Sequence, residues 1–227
     1  IMDISEATTG NRVIVSVNVI GGVRRDLSPE QVRWMLARLE WVEDEVKRLE
    51  ATLMDDYTVK KRTSGKGVLT RAQAYELGAV GPTSRGSGVA QDARQTGYAA
   101  YGELYFEPVV ETDGDCYARA NVRFREVLAS VELIRRAIDK LPAGEVRTKV
   151  KNADPPRGET VVRVEQPRGE LLYYLKGSGE KTLDRVRIRT PTFANIPPLL
   201  VMLPGHFLSD VPVVTLSIDP CISCTER

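Results

Sequence analysis

Asp219-Pro220-Cys221-Ile222-Ser223-Cys224-Thr225-Glu226-Arg227 closes the chain and carries two of its three cysteines. Two thiols two residues apart can turn toward one soft metal. By itself the spacing is shared with redox dithiols and zinc sites. A redox dithiol is expected at a strand-to-helix junction, whereas here the chain stops three residues after Cys224. A four-ligand zinc site needs two more donors. Only Cys116 and His206 are easy candidates, and nothing in their spacing supports it.

The rest of the sequence limits the alternatives. A single histidine argues against a Ser-His-Asp triad or a multi-histidine metal site, and a formal charge of +1 does not suggest nucleic acid. Three cysteines without a visible signal peptide argue against a disulfide framework and for a reducing compartment. No apolar run approaches the roughly 20 residues of a membrane helix. The nearest, Ile196 to Leu203, is short and holds two prolines. The chain opens on Ile1 in an expected helix end running to Thr9, and so reads as a piece of a longer polypeptide.

Helices dominate the first part. Ser28-Pro29-Glu30-Gln31 is a helix start, with an N-cap serine, a proline at the first position and a glutamine three after the cap. Val32, Met35, Leu36, Leu39, Val42, Val46, Leu49 and Leu53 continue it at spacings of three and four. A second long helix is expected over Tyr117 to Lys140, with Phe124, Val127, Leu128, Val131, Ile134 and Ile138 as its stripe. The charged residues of both helices are expected at the surface, and Trp34, Trp41 and the tyrosines near 98–105 in the core. Arg71 to Leu77 reads as a short helix capped by Thr70. Lys60 to Lys66 and Gly78 to Gly88 read as loops. Arg12 to Ile20, Thr160 to Val164, Glu170 to Leu175, Arg185 to Arg189 and Val213 to Ile218 read as strands, with a hairpin turn at Gly177-Ser178-Gly179. The pattern predicts an α+β fold: a helical part over 1–148, then a strand-rich part with the dithiol over 149–227.

The context of the two cysteines makes them more specific. Asp219-Pro220-Cys221-Ile222-Ser223-Cys224 resembles the DPCxxC signature of nickel–iron hydrogenase large subunits. Glu165-Gln166-Pro167-Arg168-Gly169 resembles that family's E-x-P-R-G segment, and Pro191-Thr192-Phe193-Ala194-Asn195 its P-[ST]-x-x-N segment. Gly21-Gly22-Val23-Arg24-Arg25-Asp26, Gly81 to Gly88 and Gly114-Asp115-Cys116-Tyr117 resemble the group 4, energy-converting hydrogenases and the homologous 49 kDa subunit of respiratory complex I. The retained DPCxxC favours the hydrogenase branch, because the complex I subunit has lost these ligands and uses the region for quinone.

The resemblance implies roles. Cys221 would be a terminal nickel thiolate, and Cys224 would bridge nickel and iron. Arg168 would lie over the metal pair, with Asp219 pairing to it or relaying protons. Pro167 and Thr192 would line the cyanide ligands of a centre that also carries carbon monoxide. Arg227 matches the position behind which a maturation endopeptidase cuts. The family's other two cysteines come from an RxCGxC motif that these residues lack, so the chain is expected to hold half a centre and to be inactive alone. Implied partners are an iron–sulfur small subunit and membrane-arm subunits, with no direct membrane span and with self-association through surface left uncovered. The implied location is cytoplasmic, at the inner membrane face. A quinone-linked NADH dehydrogenase-type subunit without nickel, and a non-catalytic module with a two-cysteine zinc or disulfide site, remain the alternatives.

Overall fold

The computed structural model describes residues 1–150 and 155–226. Residues 151–154, inside the polar Lys149–Gly158 stretch, and Arg227, the expected processing position, lie outside the described residues.

Two long helices form the scaffold, and both begin as their sequences prescribe. In α2 (Pro29–Met54), Ser28 Oγ accepts from the Gln31 N–H while Gln31 Oε1 accepts from the Ser28 N–H. In α6 (Cys116–Asp139), the Asp115 carboxylate accepts from the Ala118 N–H. Met35, Leu39 and Val42 of α2 pack with Val131 of α6, flanked by Ile4, Leu27, Trp34, Val46 and Ile138. Fully burying such an aliphatic side chain stabilises by roughly 1.5–3 kcal/mol. Ile4 comes from α1 (Met2–Thr9), which ends at a left-handed Gly10.

Short elements follow: the β1 (Asn18–Val19) and β2 (Gly22–Val23) hairpin, α3 (Tyr57–Thr63), α4 (Arg71–Glu76) and α5 (Pro82–Arg85). After α6 comes one antiparallel sheet in the order β3 (Arg157–Gln166), β4 (Gly169–Ser178), β5 (Leu183–Arg189). The chain closes with α7 (Pro191–Met202), α8 (Val211–Leu216) and the one-turn α9 (Ile222–Thr225). A second core joins this end to the helices: Leu69, Ala74, Ala79, Val89 and Cys116 pack with Leu199, Met202, Val214 and Ile218. That core fixes where the dithiol emerges. The α+β expectation holds: long helices against a small antiparallel sheet. Among the described residues no helix is long and apolar enough to cross a membrane.

Several expectations are corrected. Val213 to Ile218 is not a strand but lies in and just beyond α8. Val214 and Ile218, four apart, both sink fully into the core while Leu216 faces out, which is a helical period. Of Arg12 to Ile20 only Asn18–Val19 pairs, and Val13, Ile14 and Val15 are exposed. Lys60 to Thr63 belongs to α3, because Asp56 accepts from the Val59 N–H and caps a helix there. The Gly78–Gly88 stretch contains α5, whose four residues are all buried. β4 continues through Ser178, so the turn to β5 is longer than Gly177–Gly179. Trp41 faces outward and Trp34 is only partly buried. The charge of α6 is not all on its surface, since Arg119 is fully buried.

Candidate functional site

The dithiol is set in one turn of backbone. The Cys221 carbonyl accepts from the N–H groups of Cys224 (3.1 Å) and Thr225 (3.2 Å), which folds the two cysteines into a single loop. The start of α7 holds that loop at both ends. Thr192, wholly buried, accepts the Cys221 N–H at 3.2 Å. Thr190, the N-cap of α7, donates its hydroxyl to the Cys224 carbonyl. The Ser223 hydroxyl lies 3.1 Å from Cys221 Sγ. This hydrogen bond, with those from Cys224, lowers the Cys221 thiol from 9.0 to about 7. Burial, together with the hydrogen bond to Cys221, holds Cys224 above its usual value. Cys221 is thus the nucleophilic thiol of the pair. Iodoacetamide at neutral pH should alkylate Cys221 ahead of Cys224 and of buried Cys116, followed by a mass-spectrometric time course. Cys116 or Cys224 reacting first would refute this.

Arg168 reaches the loop from the sheet. It sits with Pro167 in the two-residue turn between Gln166 of β3 and Gly169 of β4. Its Nε donates to the Asp219 carbonyl at 2.8 Å and lies 3.2 Å from Asp219 Oδ2. Asp219 adopts φ +53°, a left-handed conformation that aspartate tolerates better than most residues. That reversal, just beyond the end of α8 at Leu216, turns the Asp219 carbonyl toward the hairpin. Pro167 is exposed at the turn and is not part of the hydrogen-bonded ring. The structure therefore brings together Arg168, Asp219, Thr192, Cys221 and Cys224, and leaves Pro167 at their rim.

Three supports were not expected from the sequence. Asn195 Oδ1 accepts the Val80 N–H at 3.0 Å, and its Nδ2 donates back to the Val80 carbonyl at 3.2 Å. This clamp sets Gly81 against the Arg168–Gly169 backbone. Second, Arg119 donates to Ser217 Oγ (2.9 Å), to the Gly114 carbonyl (2.7 Å) and to the Gly67 carbonyl (2.8 Å), tying α6 to the segment that leads into Asp219. Third, Arg85 is buried among carboxylates: Glu126 on its Nε, and Glu165 (2.9 Å) and Asp92 (3.2 Å) on its Nη1. Burial pulls the Arg85 guanidinium down, but Glu126, Glu165 and Asp92 outweigh it and raise its pKa. Burial raises Glu165 despite Arg85. Arg119, Arg123 and Glu126 fall at spacings of four and three on one face of α6. That spacing was the available signal, but it is equally the spacing of a solvated stripe.

Among the described residues no third metal donor joins the thiols, and no group of three or more His, Cys, Asp or Glu could hold a metal ion. His206 accepts the Gly67 N–H through Nε2 at 3.0 Å, and Cys116 lies in the second core. All three cysteines are free.

Comparison with known proteins finds relatives among subunits of hydrogenases and of NADH–quinone oxidoreductases. It belongs to the family described as "Respiratory-chain NADH dehydrogenase, 49 Kd subunit", whose profile matches residues 1–156 and 147–227. It is 41% identical to the carbon monoxide-induced hydrogenase of Rhodospirillum rubrum, over 99% of this chain and 63% of that protein. It is 37% identical to the membrane-bound hydrogenase subunit alpha of Pyrococcus furiosus, over 100% of this chain and 57% of that protein. With an NADH-quinone oxidoreductase subunit of Thermosipho melanesiensis it shares 33% identity over 100% of this chain and 64% of the relative. A chain of the membrane-bound sulfane sulfur reductase, an archaeal respiratory membrane complex, superimposes with a TM-score of 0.91 at 33% identity, covering 100% of this chain and 63% of its own. The chain thus spans about three fifths of the length of these relatives.

Proposed function

We propose that the chain supplies half of the thiolate set of a nickel–iron centre in an energy-converting hydrogenase complex. The observation that carries this reading is the dithiol loop itself: Thr192 and Thr190 hold its backbone, and Arg168 and Asp219 stand at its entrance. Thiolates are the soft ligands such a centre needs. Cys221 and Cys224 fit it as two donors and leave two to come from outside these residues. When bound, the metal pair would supply reversible splitting of hydrogen. The residues of this chain hold and orient. Arg168, whose Nη groups have no hydrogen-bond partner among the described residues, places positive charge over the thiols. Asp219 keeps that guanidinium in place, and Thr192 fixes the backbone amide of Cys221. The two hydrogenases named above carry higher identities than the quinone-linked relative.

The exposed apolar side chains Phe193 and Leu200 lie on α7, Phe207 and Leu208 between α7 and α8, Leu216 on α8 and Ile222 beside the dithiol. Such a patch supports docking of partner subunits, an iron–sulfur protein and a membrane arm, and a peripheral position on the cytoplasmic membrane face. The same patch supports self-association of the isolated chain. The second reading, a quinone-linked subunit without nickel, is favoured by the family profile. Elemental analysis decides between them. The assembled complex should contain stoichiometric nickel that Cys221→Ser and Cys224→Ser abolish, while the 227-residue chain alone binds none tightly. A wild-type complex free of nickel that reduces a quinone analogue would overturn the hydrogenase reading.

A further inference from the structure

The register of the β3–β4–β5 sheet sorts its side chains into two unlike faces. Residues opposite one another in neighbouring strands project to the same side. One side takes Glu159, Lys176 and Arg185 in a row, then Val161, Tyr174 and Arg187, then Arg163, Leu172 and Arg189, with Arg157 at the outer end. The other side takes Thr160, Leu175 and Val186, then Val162, Tyr173 and Ile188. The first face is cationic and the second apolar. Six basic residues share the first with Glu159 and Glu170, in a chain whose formal charge is only +1, while Glu165 is buried against Arg85. Both exposed-side carboxylates are already paired. Glu159 meets Lys176 at 3.3 Å, and Glu170 lies 3.4 Å from Arg163 and 3.8 Å from Arg189. Arg157, Arg185 and Arg187 are exposed and have no ion pair among the described residues. Arg185 and Arg187 stand roughly 7 Å apart along an edge strand, a spacing at which two guanidinium forks can each take a separate carboxylate.

What can cover this sheet follows from its shape. The inner end is seated, with Leu171 buried and Gly169 against Gly81. The outer part is open on both sides: Val161 is 59% exposed on the cationic face, and Val162 is 50% and Val186 43% exposed on the apolar one. A flat anionic bilayer meets only one face. It cannot take the apolar face into hydrocarbon, because β3 and β5 each pair on one side only and would leave unsatisfied edges there. A second copy on the cationic face would bring like charge to like charge. A groove in another protein can cover both faces at once, with carboxylates on one wall and apolar side chains on the other. We propose that the outer part of the β3–β5 sheet is an arm that docks into an acidic groove of another subunit of the assembled complex, with Arg185 and Arg187 meeting its carboxylates. This rests on the reading of the chain as a subunit and not on nickel, so the docking and the metal centre fail independently.

The test footprints these arginines in the assembled complex, purified through a tag on this chain. Phenylglyoxal, read by peptide mass spectrometry, should label Arg185 and Arg187 slowly in the complex and quickly once salt has stripped the other subunits. In the complex carrying Arg187→Lys, a carbodiimide should join position 187 to an aspartate or glutamate of another subunit. The double variant Arg185→Glu, Arg187→Glu should hold that subunit roughly 100-fold more weakly, and wild-type retention should fall steeply with salt. The melting temperature of this chain should stay unchanged, since neither arginine has an ion pair to lose. Changing the cross-linked acid of the partner to lysine should restore retention of the double variant. Equal labelling of Arg185 and Arg187 before and after stripping would overturn the proposal. So would protection that grows with the concentration of the stripped chain, which would mean a second copy. Protection by phosphatidylglycerol vesicles in place of the partner would overturn it as well, because the face would then meet a lipid surface.

Discussion

Replacing Arg85 by leucine should destabilise the folded chain by about 3–5 kcal/mol, the range for breaking a buried ion pair from one side. The side chain is 1% exposed and faces Glu126, Glu165 and Asp92. Arg94 stays with Asp92 at 2.6 Å, but Glu165 loses its guanidinium and keeps only the Ala93 N–H. A chain of this size should then melt roughly 6–20 °C lower. The loss should depend on pH, with a definite sign. Burial already raises the Glu165 pKa above 4.5, and Arg85 is the main influence holding it back. Without Arg85 the folded value climbs further, so the folded variant binds protons that the unfolded chain has released. The variant's stability therefore falls as pH rises from 4.5 through that higher value, and its deficit is greatest above it. Arg85→Lys should fall between the two, because an ammonium keeps the charge but cannot reach several carboxylates as a fork does. Denaturant unfolding at about pH 5 and about pH 8 measures all three proteins. A leucine variant within about 1 kcal/mol of the wild type at both pH values, the ordinary cost of any substitution, would show that the hub is not structural.

That hub also marks where the sequence could be read and where it could not. Helix caps act over three or four residues, so Ser28 with Gln31, and Thr70, were legible and are present, Thr70 also pairing with Gln73. The strands within β3 and β4 were legible, but not the turn at Pro167-Arg168 that joins them, and the set of Arg168, Asp219, Thr192 and the two cysteines was legible only through the resemblance of their motifs. Arg85 was not, because its three acids lie 7, 41 and 80 residues away, and sequence alone does not show that such groups converge. The same holds for Arg119 with Ser217, 98 residues apart. An arginine on a helix is usually solvated, and only the packed structure distinguishes the exceptions. α8 was misread for a related reason. Pro212-Val213-Val214-Thr215-Leu216-Ser217-Ile218 is rich in β-branched residues, and its partner on the core side, the surface around Leu69 and Cys116, overrides that preference.

The second large effect concerns a contact with no side chain in it. Gly81 has φ +65° and ψ −147°, a region that glycine alone occupies readily. A Cβ there would lie 2.3 Å from the Arg168 carbonyl oxygen and 2.5 Å from Gly169 Cα. Both are backbone atoms of the tight turn that presents Arg168, so neither can rotate away. Gly81→Ala should therefore cost roughly 3 kcal/mol or more, combining a strained backbone with a forced shift of packed main chain. Gly65→Ala is the matched control: it has the same sign of φ, +67°, and nothing within 4 Å of the added atom. It should cost only the roughly 1–2 kcal/mol of left-handed backbone. The difference between the two combines the contact with the further strain of the Gly81 ψ of −147°. The site should register it as well, because pushing the 167–169 turn outward lengthens the Arg168–Asp219 link. Loss of that guanidinium should slow iodoacetate at Cys221 more than neutral iodoacetamide, relative to the wild type, in Gly81→Ala but not in Gly65→Ala. Gly169→Ala meets the same contact from the other side, with its Cβ 2.7 Å from the Gly81 nitrogen. The double variant should thus cost well under the sum of the singles, since one displacement relieves both clashes. Strict additivity would mean that the two glycines act separately and that this backbone seam does not position Arg168.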